Sequence, residues 1–153
     1  IKFTTFILFL SVSVQISAQD TGYQKNLEFA TDLFISQPEL PDSVLLKLVP
    51  DSHEEFRLLY GTTYPGNKMQ STGFFYDVTQ QIFDKVIIGK NEQYYLPGIQ
   101  LASFADGEFG ESFVDNLEII IALDTNKFCM TIRGKEFAEH NPVKSFAEQY
   151  DCK

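Results

Sequence analysis

Tryptophan is absent, and histidine, cysteine and methionine occur only twice each. With only His53 and His140, a zinc site would need both histidines to converge with a carboxylate, and His53-Glu54-Glu55-Phe56-Arg57 places Arg where an HExxH motif needs its second histidine. No G-x-S-x-G turn supplies a serine nucleophile, and Gly61, Gly66 and Gly73 are spaced too widely for a phosphate-cradling loop. Basic residues are also short, 12 Lys and Arg against 21 Asp and Glu, for a net charge of −9. Phosphate backbones are bound by neutralising them, so nucleic acid is excluded as a partner and an anionic lipid surface is disfavoured. No cofactor is expected.

Charge is missing in one more place. Between Lys2 and Asp20 the chain carries none, and the apolar stretch from Phe6 to Ile16 is broken only by Ser11, Ser13 and Gln15. A basic start followed by a short apolar run reads as a cleavable export signal, with Ala18 or Gln19 the last residue removed. Crossing a bilayer takes about 20 apolar residues, so this run is too short to span one. No cysteine near the cleavage region offers a lipid anchor. The expected organisation is a signal peptide over 1–19 and one helical domain over 20–153, periplasmic or secreted.

What is abundant is aromatic: 15 Phe and 7 Tyr. So many rings must be largely buried, which marks a folded chain rather than a disordered tail. In an oxidising compartment Cys129 and Cys152 read first as a disulfide. It would close a loop of about 20 residues, contributing roughly 3 kcal/mol in the loop-entropy account.

Apolar spacing of three and four predicts a series of helices. The first runs from Tyr23 to Ile35 through Leu27, Ala30, Leu33 and Phe34, with Thr21 and Gln24 as a capping pair. Pro38 and Pro41 interrupt, and Asp42 or Ser43 caps a short helix through Leu45, Leu46 and Leu48. Ser52 and Glu55 form a capping box ahead of Phe56, Leu58, Leu59 and Tyr60, with Gly61 closing that helix. Residues 62–73 read as an exposed loop. A strong helix follows from Phe74 through Val78, Ile82 and Val86 to a stop at Gly89.

Asn91 or Glu92 opens a segment to Leu96, Pro97-Gly98 reads as a turn or new start, and Ile99–Phe104 continues as helix. A loop over 105–110 leads to a helix from Glu111 through Leu117 to Leu123. Its Ile119–Ala122 run would also suit a buried strand, but the polar residues Asp115, Asn116 and Glu118 fall on the opposite helical face. Asp124-Thr125-Asn126 kinks this helix or caps another carrying Phe128, Cys129 and Ile132. Asn141-Pro142 is a cap and first-turn pair ahead of Val143, Phe146, Ala147 and Tyr150. The expectation is an all-α single domain of about six or seven antiparallel helices, arranged either as paired helices or as a degenerate helical-repeat stack.

The stretch Leu40-Pro41-Asp42-Ser43 through Pro50-Asp51-Ser52-His53-Glu54-Glu55-Phe56-Arg57-Leu58-Leu59-Tyr60-Gly61 resembles small, uncharacterised exported helical proteins of Bacteroidota-type bacteria. The resemblance implies an exported helical domain and transfers no catalytic residue.

Candidate chemistry is sparse. Glu54 with Glu55, or Asp115 with Glu118, would serve acid–base catalysis if one member were buried. A first-turn dipole role and a solvated face explain them equally well. Asp106-Gly107-Glu108 and Asp124-Thr125-Asn126 carry oxygen ligands on short loops but lack the twelve-residue calcium pattern. Tyr64, Tyr94, Tyr95 and Phe109 are the aromatic loop residues. Where such tyrosines stay exposed they anchor binding surfaces, and Tyr64, Tyr94 and Tyr95 are the candidate partner-binding residues, although Phe109 and one of Tyr94 and Tyr95 are expected to pack under the loops as extensions of the core. The leading expectation is a non-catalytic domain that binds a protein or peptide. A small-ligand carrier with an aromatic-lined cavity comes next, and a carboxylate-dependent hydrolase using Glu54, Glu55 or His53 last.

Overall fold

A computed structural model describes residues 22–137 and 141–152 of the chain. The expected export signal over 1–19, the expected Thr21 cap and His140 lie outside the described residues. The eight α-helices are α1 (Gly22–Ser36), α2 (Asp42–Leu45), α3 (His53–Tyr60), α4 (Phe74–Ile87), α5 (Tyr95–Ala102), α6 (Gly110–Leu123), α7 (Thr125–Ile132) and α8 (Pro142–Gln149). Short 3-10 turns follow α2 and α3 and precede α5 and α6, and the described residues contain no strand.

Helix α1 buries Tyr23, Leu27, Ala30, Thr31 and Phe34, one stripe at three-and-four spacing, while Leu33 is only half-buried at its edge. The Tyr23 hydroxyl donates to the Leu48 carbonyl at 2.7 Å, tying α1 to the 3-10 turn Leu46–Leu48. Asp42 does not cap α2 but is its first residue, and its carboxylate pairs with Lys85 of α4 at 2.7 Å. The capping box of α3 forms with a shift. Ser52 Oγ accepts from the Glu55 amide at 3.2 Å, but the Glu55 carboxylate accepts from the Asp51 amide at 2.7 Å rather than that of Ser52. Gly61 does not turn the chain left-handed; α3 runs on into the 3-10 turn Gly61–Thr63.

Helices α4, α5 and α6 each touch the other two and form the centre. Here the Pro97-Gly98 turn expected from sequence gives way to helix. Pro97 is the third residue of α5, where an amide has no intrahelical acceptor, so its missing N–H costs nothing. Gly98 allows close packing: a Cβ at this position would lie 3.0 Å from Val86 Cγ2 and 3.5 Å from Ile120 Cδ1. The 62–73 loop is likewise not wholly exposed, because Met69 and Thr62 are buried. Residues 119–122 are helical, as their period requires.

Polar groups in the core are satisfied locally. Thr31, Thr62 and Thr79 hydroxyls and the Asn116 amide donate to carbonyls three or four residues earlier, at 2.7–2.8 Å. No buried side-chain nitrogen or oxygen among the described residues lacks a partner, so burial is not opposed by stranded polar atoms. At the C-terminal end, Asp124 caps α7 by accepting from the Lys127 amide, and Asn141 caps α8 by accepting from the Val143 amide, both at 2.9 Å. A Cys129–Cys152 disulfide joins α7 to the residues after α8. The Asn141 amide also donates to the Ser103 carbonyl at 3.0 Å, which seats the start of α8 on the end of α5.

Candidate functional site

Helix α3 presents two faces. Phe56 and Leu59 point into the core, whereas His53 and Arg57 stay exposed and Tyr60 is half-buried. Facing it is the 3-10 turn Gly107–Phe109, opened by Asp106, whose Oδ1 accepts from the Gly107 amide at 2.7 Å. Gly107 takes φ +59°, a left-handed conformation in which a side chain would be strained. The turn drives Phe109 inward to a buried position, with its ring 5.0 Å from Tyr60, 5.3 Å from Phe56 and 5.1 Å from Phe113. Phe104 stacks on Phe56 at 4.9 Å and receives the edge of His53 at 5.2 Å.

Between these walls lies an open cleft of about 530 Å³, lined by His53, Phe56, Arg57, Tyr60, Phe104 and residues 106–109. Its floor is aromatic and its rim is polar, the general make-up of a recognition site.

One carboxylate organises the rim. Glu108 Oε1 accepts from the Tyr60 hydroxyl at 2.9 Å and from the Tyr76 hydroxyl of α4 at 2.8 Å. Those two hydrogen bonds hold the Glu108 carboxyl below its ordinary value. The same bonds, with some desolvation, raise both phenols, Tyr76 to about 12. At neutral pH Glu108 is therefore ionised and both phenols keep their protons. Neither is poised to exchange a proton near neutrality, which is what acid–base catalysis requires. The arrangement is suited to hydrogen bonding and charge recognition.

Of the three tyrosines singled out from sequence, only Tyr64 is at the surface, 52 % exposed, with its ring edge-on to Tyr60 at 5.5 Å. Tyr94 and Tyr95 are buried, which corrects their expected place on a loop surface. The 3-10 turn Glu92–Tyr94 packs on α4 and runs directly into α5. Tyr94 is fully enclosed and donates to the Asp42 carbonyl at 3.2 Å, and burial raises its hydroxyl. Tyr95 lies under the Lys127 ammonium, 4.1 Å from the ring centre, and burial foremost pushes it up to about 12.

The carboxylates weighed for catalysis stand apart. Glu54 is exposed and Glu55 is engaged at the α3 cap, while Asp115 and Glu118 lie on the solvent face of α6. Among the described residues, no group of three or more His, Cys, Asp or Glu could hold a metal ion. A second groove, of about 440 Å³, runs beside α4 between Pro38 and Ile88, but no aromatic ring lines it. Much of its polar lining is occupied: Gln81 bridges the Pro38 carbonyl and the Leu40 amide, Gln80 holds Asp84, and Lys85 pairs with Asp42.

Sequence reasoning weighed Glu108 only as a loop oxygen ligand and Tyr60 only as part of an apolar helix face, and did not bring them together with Tyr76; the three come from two helices and a turn. Tyr60 and Tyr76 sit within apolar helical patterns, and nothing local marks their convergence on a residue 48 and 32 positions away. No protein-family model matches the chain, and no curated protein or solved structure matches it either.

Proposed function

We propose that the chain is an exported, non-catalytic helical domain that binds a protein or peptide partner in the cleft between α3 and the 104–109 segment. The observation that carries this reading is a cleft whose floor is formed by the edges of the packed, largely buried rings of Phe56, Phe104 and Phe109, beneath a rim fixed by Glu108. Exposed Tyr64 and Tyr76 extend the rim with rings that order at little entropic cost. Export is supported by the Cys129–Cys152 disulfide, since such bonds persist in oxidising compartments. In addition, no helix among the described residues is long and apolar enough to cross a membrane.

A carrier role has less support, because the clustered rings pack against one another instead of lining an enclosed space. The test is capture of partners from envelope and culture-supernatant extracts by the wild-type protein and by a Tyr64→Ser, Tyr76→Ser variant. The captured complex is then mapped by hydrogen exchange. Loss of capture in the variant, with protection over 53–64 and 104–110 in the wild type, is the expected result. Equal capture by both proteins, or protection confined to other helices, would remove the cleft from consideration.

A further inference from the structure

Glu108 is unusual among this chain's acids in what surrounds it. Its two hydrogen bonds both go to one oxygen, Oε1, and both come from phenols rather than from a cation. The ion pairs among the described residues, Lys68–Asp32, Lys85–Asp42 and Lys127–Glu92, lie elsewhere. Arg57 is the one Lys or Arg lining the same cleft, yet it forms no ion pair with Glu108. An ionised carboxylate is thus held in a fixed direction by Tyr60 and Tyr76, with Oε2 uncommitted.

We propose that Glu108, oriented by Tyr60 and Tyr76, is a subsite for a lysine or arginine side chain of the bound segment, whose neighbouring apolar residue lies on the Phe56–Phe104–Phe109 floor. This rests on the cleft being the binding site. A cationic head gains an ion pair with the free oxygen, and its aliphatic stem covers apolar surface. The phenols' hydrogen bonds orient the carboxylate in advance, so little ordering remains to be done on binding. The chain's net charge of −9 adds a long-range attraction for basic segments that salt weakens. Arg57 lines the same cleft and opposes a second cation there, so the subsite accepts one positive group rather than a polybasic run.

The test uses three probe peptides, acetyl-Phe-Lys-Phe-amide, its arginine counterpart and its uncharged norleucine counterpart, titrated into the purified protein and followed by backbone amide shifts. Saturable shifts over 57–64, 74–78 and 104–110 are expected, with the cationic peptides binding about five- to tenfold tighter than the norleucine peptide. Glu108→Gln keeps an acceptor for the phenols and should abolish that preference. Arg57→Gln should strengthen it, and Glu118→Gln, which removes the same charge from the solvent face of α6, should leave it unchanged. Equal affinity for all three peptides within the cleft would overturn the cationic subsite and leave the cleft standing. Loss of the preference in Glu118→Gln as much as in Glu108→Gln would overturn it too, by showing a diffuse effect of net charge. If no peptide shifts the cleft resonances, the cleft reading fails together with the subsite.

Discussion

Gly98 and Val86 meet across the α4–α5 crossing so closely that a Cβ on Gly98 would stand 3.0 Å from Val86 Cγ2. Val86 is 3 % exposed and Ile120, on the other side, is fully buried, so neither has room to withdraw. Gly98→Ala should therefore destabilise the protein, because overpacking of roughly 1–3 kcal/mol outweighs the helix-propensity gain of about 1 kcal/mol. Gly98→Val should cost more. Urea unfolding checks both, and an alanine variant more stable than the wild type would refute the crossing geometry.

Removal of the disulfide by Cys129→Ser with Cys152→Ser should lower stability by about 3 kcal/mol. The loss should concentrate in α8, which is otherwise held by the buried Val143 and by the Asn141 amide on Ser103. Hydrogen exchange should rise over 142–149 far more than over α4 or α6. Uniform acceleration across all helices would mean instead that the bond supports the whole core.

The Tyr23 hydroxyl donates to the Leu48 carbonyl at 2.7 Å across the α1 contact. Tyr23→Phe keeps the ring in place and leaves a buried carbonyl unpaired, at a cost of about 1–2 kcal/mol. Tyr64→Phe, at an exposed ring, should change stability by less than about 0.5 kcal/mol. Denaturant midpoints for the two variants separate the cases.

Alkaline pH should unfold the protein. Tyr23 and Tyr94 are raised by burial foremost, Tyr95 likewise to about 12, and Tyr60 and Tyr76 by their bonds to Glu108. Each phenol keeps its proton longer in the folded than in the unfolded chain. The stability this contributes is intact below the unfolded value of about 10 and declines as pH rises beyond it. Phenolate absorbance and helical circular dichroism should therefore change together above about pH 10. Full ionisation of all tyrosines with the helices intact would contradict their burial.

At the acid end the sign reverses for Glu108, whose lowered value reflects the two phenol bonds. Tyr60→Phe with Tyr76→Phe should move the carboxyl back up toward 4.5, as followed by carbon-detected titration of that side chain. An unmoved titration would mean that the phenols do not donate to it in solution.

Much of the helical layout was legible in the sequence because its signals act over three or four residues. The Ser52, Asp124 and Asn141 caps all formed on amides two or three positions on, and the apolar periods of α1, α4 and α6 became their buried faces. Where sequence signals misled, a distant surface had intervened. Pro97-Gly98 carries the local chemistry of a turn, yet α4 and α6 supply two flat contacts that only a glycine on a helix can meet.

The sequence by itself determined that this chain is helical, acidic and rich in buried rings, since period, composition and capping are properties of neighbouring residues, while the Cys129–Cys152 bond it suggested was decided by the fold that brings the two together. Only the tertiary structure decided which tyrosines face solvent. It enclosed Tyr94 against Asp42 of α2 and Tyr95 beneath Lys127 of α7, left Tyr64 outside, and brought Tyr60 and Tyr76 to Glu108. A ring's exposure depends on which helix covers it, and that is set by packing between elements tens of residues apart, which no short window of sequence encodes.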